Sequence, residues 1–270
     1  MTEQEYNEAE GIRRSDLWKM ADSPEKFKFF LDHPVEQSPA LAFGTACHKM
    51  VLEPEDFNNE FAIAPIVDKR TKAGREAWED FCAENADKTV ISADDAETMR
   101  EMAEALKMCP LAYKLIRGKG ETEKAFFWTD PETGEKCKIK CDRVVTYNRR
   151  KYLVDYKTCT CAETNRFNSE IWKFGYFFQA GMYAEGYKTA CKKRKLPGFM
   201  FVAQEKKPPY SVNVIEVSEE VMNAGLAKFH ELMEKMHNCK VVDIWSGYVS
   251  DVPNDAFVPG WMEREMEDEF

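Results

Sequence analysis

The chain has 270 residues, 44% of them hydrophobic and 32% charged, with a mean hydropathy of -0.56 and a net charge of -10. That is enough apolar material for one large domain or two small ones, and no apolar run nears the ~20 residues of a membrane span. The acidic balance, with a pI near 5.1, excludes a surface that coats nucleic acid indiscriminately but leaves room for a local basic groove. The start, MTEQEYNEAEGIRRSD, lacks a charged-then-apolar leader. The nine scattered cysteines read as reduced, largely buried thiols. A cytoplasmic protein is expected.

The first third, about 1–118, reads as helical. SDLWKMA and SPEKFKFFLDH each begin with Ser as an N-cap, and Pro24 suits a first turn. ALAFGTACHKMVLEP puts Leu41, Thr45, His48 and Leu52 on one helix face, with Pro54 ending the helix. Two more helices follow at 71–85 and 92–110, the second opened by a Ser92–Asp95 pair. The TVI between them is a short edge strand or an extended link.

From about 119 to 240 the period changes. ETEKAFFWTD, EKCKIKCDRVVTY and RKYLVDYKT, separated by turns at DPETG and NR, predict a three-stranded antiparallel meander. Helices over 162–174 and 176–193, strands over 198–207 and 210–218, and a long amphipathic helix from 218 to 239 follow. The tail, 241–270, is aromatic and acidic with little periodicity. The order predicts one α/β domain, a central mixed sheet with an antiparallel meander flanked by helices. Basic clusters at 68–75, 136–140 and 192–195 read either as solvated faces or as phosphate contacts.

The charges inside the meander are the informative feature. If Asn148-Arg149 is a two-residue hairpin loop, residues whose numbers sum to 297 face each other. Asp142 then opposes Asp155, Lys140 opposes Lys157, and alternation places all four on one face. Opposed like charges destabilise a sheet unless something lies between them, and a divalent cation such as Mg2+ suits two carboxylates plus water and phosphate oxygens. Asp142 and Asp155 would hold the metal. Lys157 would orient or help deprotonate a water, or stabilise developing charge, in phosphodiester hydrolysis. A solvated sheet edge is the structural alternative.

Asp…Asp-x-Lys on antiparallel strands resembles the PD-(D/E)xK nuclease superfamily. FGTACHKMVLEPEDFNNEFAIAP, RTKAGREAW, WTDPETGEKCKIKCDRV, LVDYKT and FFQAGMYAEGY follow in the order found in its RecB-like branch, in RecE-type exonucleases of the exodeoxyribonuclease VIII kind. The resemblance spans roughly residues 11–235. It implies an ATP-independent, metal-dependent exonuclease that degrades duplex DNA from 5′ ends. It also implies a ring-shaped homotetramer and a RecT-type single-strand annealing partner in phage or prophage recombination. Residue by residue, His48, Asp142 and Asp155 match the metal ligands, with the Tyr156 carbonyl completing the set, and Lys157 matches the catalytic lysine. Cys141 stands where the family has Pro. Glu123, with Glu121 as its competitor, matches an acidic residue on the first strand. Gln179 and Tyr183 match a Gln-and-Tyr helix that supports the site and meets the DNA end. Arg70 and Lys72 read as loop contacts to phosphate. Imidazole suits Mn2+ better than Mg2+, so Mn2+ can substitute. No iron–sulfur cluster is expected, because relatives that carry one place a Cys trio near the C-terminus, where this chain has only Cys239. A flap-type endonuclease and a catalytically silent DNA-end-binding subunit are the competing readings.

Overall fold

The computed structural model describes residues 1, 3–33, 39–248 and 251–258. In chain order the elements are α1 (Glu3–Glu8), α2 (Arg14–Leu17) running into a 3-10 turn (Trp18–Ala21), α3 (Pro24–Asp32), α4 (Pro39–Leu52), α5 (Phe57–Glu60), β1 (Phe61–Ile63), α6 (Lys72–Glu84), β2 (Thr89–Ile91), α7 (Ala93–Lys107) and α8 (Pro110–Arg117). Then come β3 (Gly120–Thr129), β4 (Lys136–Tyr147), β5 (Arg150–Cys159), α9 (Thr164–Lys173), α10 (Tyr176–Ala190), β6 (Gly198–Glu205), β7 (Val212–Glu216) and α11 (Glu219–Val242).

Local chemistry explains most of these boundaries. Ser23 and Ser92 accept from the amides of Lys26 and Asp95, and Ser92 also donates to the Asp95 carboxylate at 2.7 Å. The expected N-cap at Ser15 is not used: Arg13 flanks α2 and Ser15 lies inside it. The chain restarts as α8 because Pro110 supplies a fixed φ at a first helical position. The TVI segment is a strand after all, paired in parallel with β1 as a separate two-stranded sheet. The acidic tail beyond residue 258 lies outside the described residues, as does the side chain of Leu41.

The main sheet has the order β3-β4-β5-β6-β7, antiparallel except for the β5–β6 pair. A parallel pair needs a long crossover, and α9 and α10 supply it. Both faces are covered, so β6 reads as the near-continuous apolar run GFMFVA. On one face Leu153, Phe199 and Phe201 pack against Phe178 and Met182 of α10 and Phe229 and Leu232 of α11. On the other, Val154, Tyr156 and Val202 pack against Cys47 and Val51 of α4, Met99 and Met102 of α7 and Leu115 of α8. Gln204, fully buried on that second face, accepts from the Tyr156 hydroxyl at 2.7 Å and donates to the Met102 carbonyl at 2.8 Å, so its polar atoms are satisfied.

Helices α10 and α11 cross at Gly181 and Gly225. A Cβ on Gly181 would lie 2.2 Å from the Gly225 carbonyl carbon, and one on Gly225 would lie 2.0 Å from the Phe177 oxygen. These contacts are with backbone, which cannot swing aside, so the helices must move apart to admit any side chain. Gly181→Val is therefore expected to lower stability by about 1–3 kcal/mol, read as a lower urea midpoint. A wild-type midpoint would show that the crossing is not close-packed.

Candidate active site

The hairpin register is the one the turn dictates. Asn148 (φ 45°) and Arg149 (φ 65°) are both left-handed, as a type I′ turn requires. Pairs summing to 297 run from Tyr147↔Arg150 to Arg143↔Val154. The next pair would be Asp142 with Asp155, and there the ladder stops. Instead of a backbone partner, the Tyr156 amide finds the Asp142 side chain, donating to Oδ2 at 2.7 Å. On the other side of β4 the ladder lapses at the same level. Thr122↔Arg143 and Lys124↔Cys141 are paired, Glu123 is not, and Glu123 is held at φ 47°.

Alternation also slips there. Val144 faces the α10–α11 core, and so do Cys141, Ile139 and Cys137, three and then two residues apart. The placement of Lys140 opposite Lys157 on one face is therefore corrected. Lys140 turns to Glu123, with Nζ 2.8 Å from Oε2.

The gathered groups come from both layers and the sheet. His48 of α4 places Nδ1 3.4 Å from Asp142 Oδ2, and its ring meets the Tyr156 ring edge-on at 5.2 Å. Lys157 Nζ lies 2.7 Å from Asp155 Oδ2 and 5.1 Å from the centre of the Tyr176 ring. Gln179 of α10 donates from Nε2 to Asp155 Oδ1 at 2.5 Å. Asp155 is 3% exposed and Asp142 9%, so both carboxylates lie out of bulk water. A cleft of about 520 Å3, lined by Thr45, His48, Glu123 and Lys140 among others, opens beside them.

Glu123, not Glu121, reaches the site, since Glu121 pairs outward with Lys124 at 2.7 Å. Tyr183 stands one turn beyond Gln179 on α10 and packs edge-on to Phe199 at 6.3 Å. Arg70 and Lys72 lie at the start of α6, paired with Asp68 at 3.0 Å and Glu76 at 3.7 Å, and among the described residues no contact ties them to the His48–Asp142–Asp155 group. The 136–140 cluster is a solvated face only at Lys136, which is exposed. Lys136 pairs with Glu10, and Lys138 is buried with its ammonium on the Tyr6 carbonyl at 2.7 Å. Cys137, Cys141 and Cys159 are buried, and burial pushes the Cys137 and Cys159 thiols up to about 12.

Arg14 had no signal in the sequence beyond the doublet in GIRRSD. It reaches across 160 residues to the Phe174 and Gly175 carbonyls at 2.5 and 2.9 Å, at the start of the helix that carries Gln179. Burial pushes its guanidinium below the ordinary arginine value, with Tyr183 and then Asp155 opposing that shift.

Electrostatics follow from the burial. Desolvation, and then Asp155, push Asp142 up to about 8. Desolvation, then Asp142, also raises Glu123. Burial and then Lys157 lower His48, leaving a neutral imidazole at pH 7. Burial opposes the charge on Lys157, but Asp155 and Asp142 outweigh it and hold the amine above the ordinary lysine value.

This donor set fits a divalent cation. Two buried carboxylates lie close enough for the charge of Asp155 to raise Asp142, a neutral imidazole adjoins one of them, and Asp155 Oδ2 is buried with the Lys157 ammonium, 2.7 Å away, as its neighbour. Among the described residues no three such side chains already converge as a closed cluster. Tyr156, Lys157 and Lys140 each engage one of the acids instead.

The mixed sheet sandwiched by helices, with paired acids and a lysine where its strands part, defines a PDDEXK-like domain. The chain belongs to the family described as a PDDEXK-like domain of unknown function (DUF3799), whose model matches residues 14–252. No curated protein matches it. A crystal structure of a candidate exonuclease from Eubacterium rectale is similar to it at 14% identity, with 96% of each chain covered and a TM-score of 0.63, which is a likeness of fold. A second solved structure, at 14% identity, covers 70% of this chain and 84% of its own with a TM-score of 0.33, too distant to bear on the fold.

Because Asp142 is raised from 3.8 to about 8 on folding, the folded chain holds its proton more tightly than the unfolded chain. The associated stability is present below about pH 4 and is lost as pH rises towards about 8, at up to about 1.4 kcal/mol per pH unit. Urea titrations in EDTA should show this decline between pH 5 and 8. Mg2+ should offset it, and Asp142→Asn should flatten it. An EDTA profile identical for wild type and Asp142→Asn would contradict the assignment.

Proposed function

We propose that this protein is a metal-dependent exonuclease acting on linear double-stranded DNA, running 5′ to 3′ without ATP and leaving 3′ single-stranded overhangs. The observation that carries the reading is the confrontation of Asp142 and Asp155 where the β4–β5 ladder parts, with Lys157 against Asp155 and His48 against Asp142. Asp142, Asp155, His48 and the Tyr156 main chain would hold Mg2+ or Mn2+. Such a cation, when bound, supplies a Lewis acid for phosphoryl oxygen and lowers the pKa of a bound water.

The chain's own residues do the rest. Gln179 and the Tyr156 amide fix the two carboxylates, so their positions do not depend on the substrate. Lys157, as an ammonium, neutralises charge that grows on the scissile phosphate or its leaving oxygen. Glu123, braced by Lys140, adjoins the cleft and orients a water. Tyr183 and Gln179 back the approach of the DNA end, and Arg70 and Lys72 contact phosphate further out.

The ordered resemblance to RecE-type exonucleases supports the polarity, the tetrameric ring and a RecT-type annealing partner in phage recombination. No helix among the described residues is long and apolar enough to cross a membrane, and the chemistry asks for none.

The test is digestion of linear duplex labelled at either 5′ or 3′ ends, in Mg2+ and in Mn2+. Early loss of 5′ label as mononucleotides is expected, with Lys157→Ala slowing turnover about 100-fold or more while DNA binding persists. Discrete cuts at flaps would transfer the reading to a flap endonuclease. Intact DNA in every metal would leave an end-binding subunit.

A further inference from the structure

We propose that the hairpin end of the sheet carries a second nucleic-acid site, a basic hollow that takes the phosphodiester backbone well away from the catalytic carboxylates. The β4–β5 hairpin tip and the turn after α10 meet around a hollow of about 740 Å3 whose cationic lining is Arg150, Lys151, Lys193, Arg194 and Lys195. All five are exposed, on a chain whose net charge is -10.

Several exposed cations elsewhere in the fold are paired with a carboxylate, as Lys72 is with Glu76, Arg100 with Glu97, Lys107 with Glu104 and Lys240 with Glu135. Among the described residues Lys151, Lys193, Arg194 and Lys195 make no ion pair, and Arg150 lies over the Tyr152 ring at 5.3 Å. No acidic residue lines the hollow, and carboxylates on the neighbouring elements have other partners. Glu216 accepts from the Tyr152 hydroxyl, Glu121 pairs with Lys124 and Glu185 with Lys188. Arg149 (φ 65°) and Lys192 (φ 50°) extend the positive patch from left-handed positions that glycine adopts more readily. Like charges gathered in one concavity repel, and among the described residues no carboxylate forms an ion pair with Lys151, Lys193, Arg194 or Lys195. Their complement is a polyanion.

A backbone fits better than a single phosphate. The cations are long, exposed side chains spread along two loops, suited to a string of charges. Asp155 lies five residue steps along β5 from Arg150, about 16 Å at the rise of a strand. That is about five base pairs of duplex at ~3.4 Å each. A DNA end held in the cleft would therefore reach the hollow with its fifth or later base pair. This last step rests on the nuclease reading, whereas the polyanion site itself does not.

Binding of a labelled 20-base-pair blunt duplex and of the matching single strand, in EDTA so that nothing is cut, tests the site. The variant is Lys193→Gln/Arg194→Gln/Lys195→Gln, and the charge-matched control is Arg100→Gln/Lys107→Gln/Lys228→Gln. The hollow variant should bind at least one of the two DNAs about 10-fold or more weakly. The slope of log K against log salt should also fall by about two to three, near 0.9 per lost phosphate contact. The control should stay within about twofold of wild type, with all three proteins melting alike. Equal binding by variant and control, or no DNA binding by wild type, would overturn the proposal. So would inorganic tripolyphosphate competing as well as DNA at equal charge, which would mark a small-anion site. If the hollow variant loses DNA while wild type cuts none in Mg2+ or Mn2+, the backbone site stands and the nuclease reading falls.

Discussion

Everything at this site depends on two carboxylates that the hairpin forces towards each other inside the fold. The Asn148-Arg149 turn sets the register, and the register brings Asp142 level with Asp155. A continuous ladder would press like charges together in a medium that solvates them poorly. The strands part instead, and the backbone amide released by the parting is taken up by Asp142 itself. The gap that results is polar, braced and adjacent to a cleft.

The bracing draws on every layer. His48 comes from the layer of α4, α7 and α8 covering one face, Gln179 from the α10–α11 pair covering the other, and Lys157 from the strand between. Covering both faces lowers the local dielectric, which raises Asp142 and keeps His48 neutral. Packing at a distance thereby becomes chemistry. The close α10–α11 crossing sets the depth of α10, and that depth puts the Gln179 amide on Asp155. Arg14 holds the carbonyls just ahead of α10, so the N-terminal segment also bears on the position of that carboxylate.

Much of this was legible in the sequence because it is local. A left-handed dipeptide between two alternating runs dictates a register, and Ser23 and Ser92 dictate helix starts. Asp-x-Lys in an otherwise apolar strand marks charge that needs a reason. The slip in alternation between Cys141 and Val144 was not legible, since simple period-two reasoning has no term for a lapsed pair. Strict alternation sets Lys140 against Lys157, whereas the lapsed pair turns it to Glu123. Arg14 was invisible because its partners lie 160 residues away. The α8 helix was hidden behind a Cys-Pro that reads as the end of its neighbour, although the same proline also starts a helix well.

The central claim is that the parted strands are a cation site. Anomalous diffraction from crystals soaked in Mn2+ tests it most directly. The account predicts one strong peak bounded by Asp142, Asp155 and His48, with Lys157 displaced from Asp155 Oδ2, and loss of that peak in Asp155→Asn crystals. An Mn2+-soaked crystal with no peak there, and Lys157 still resting on Asp155, would contradict it.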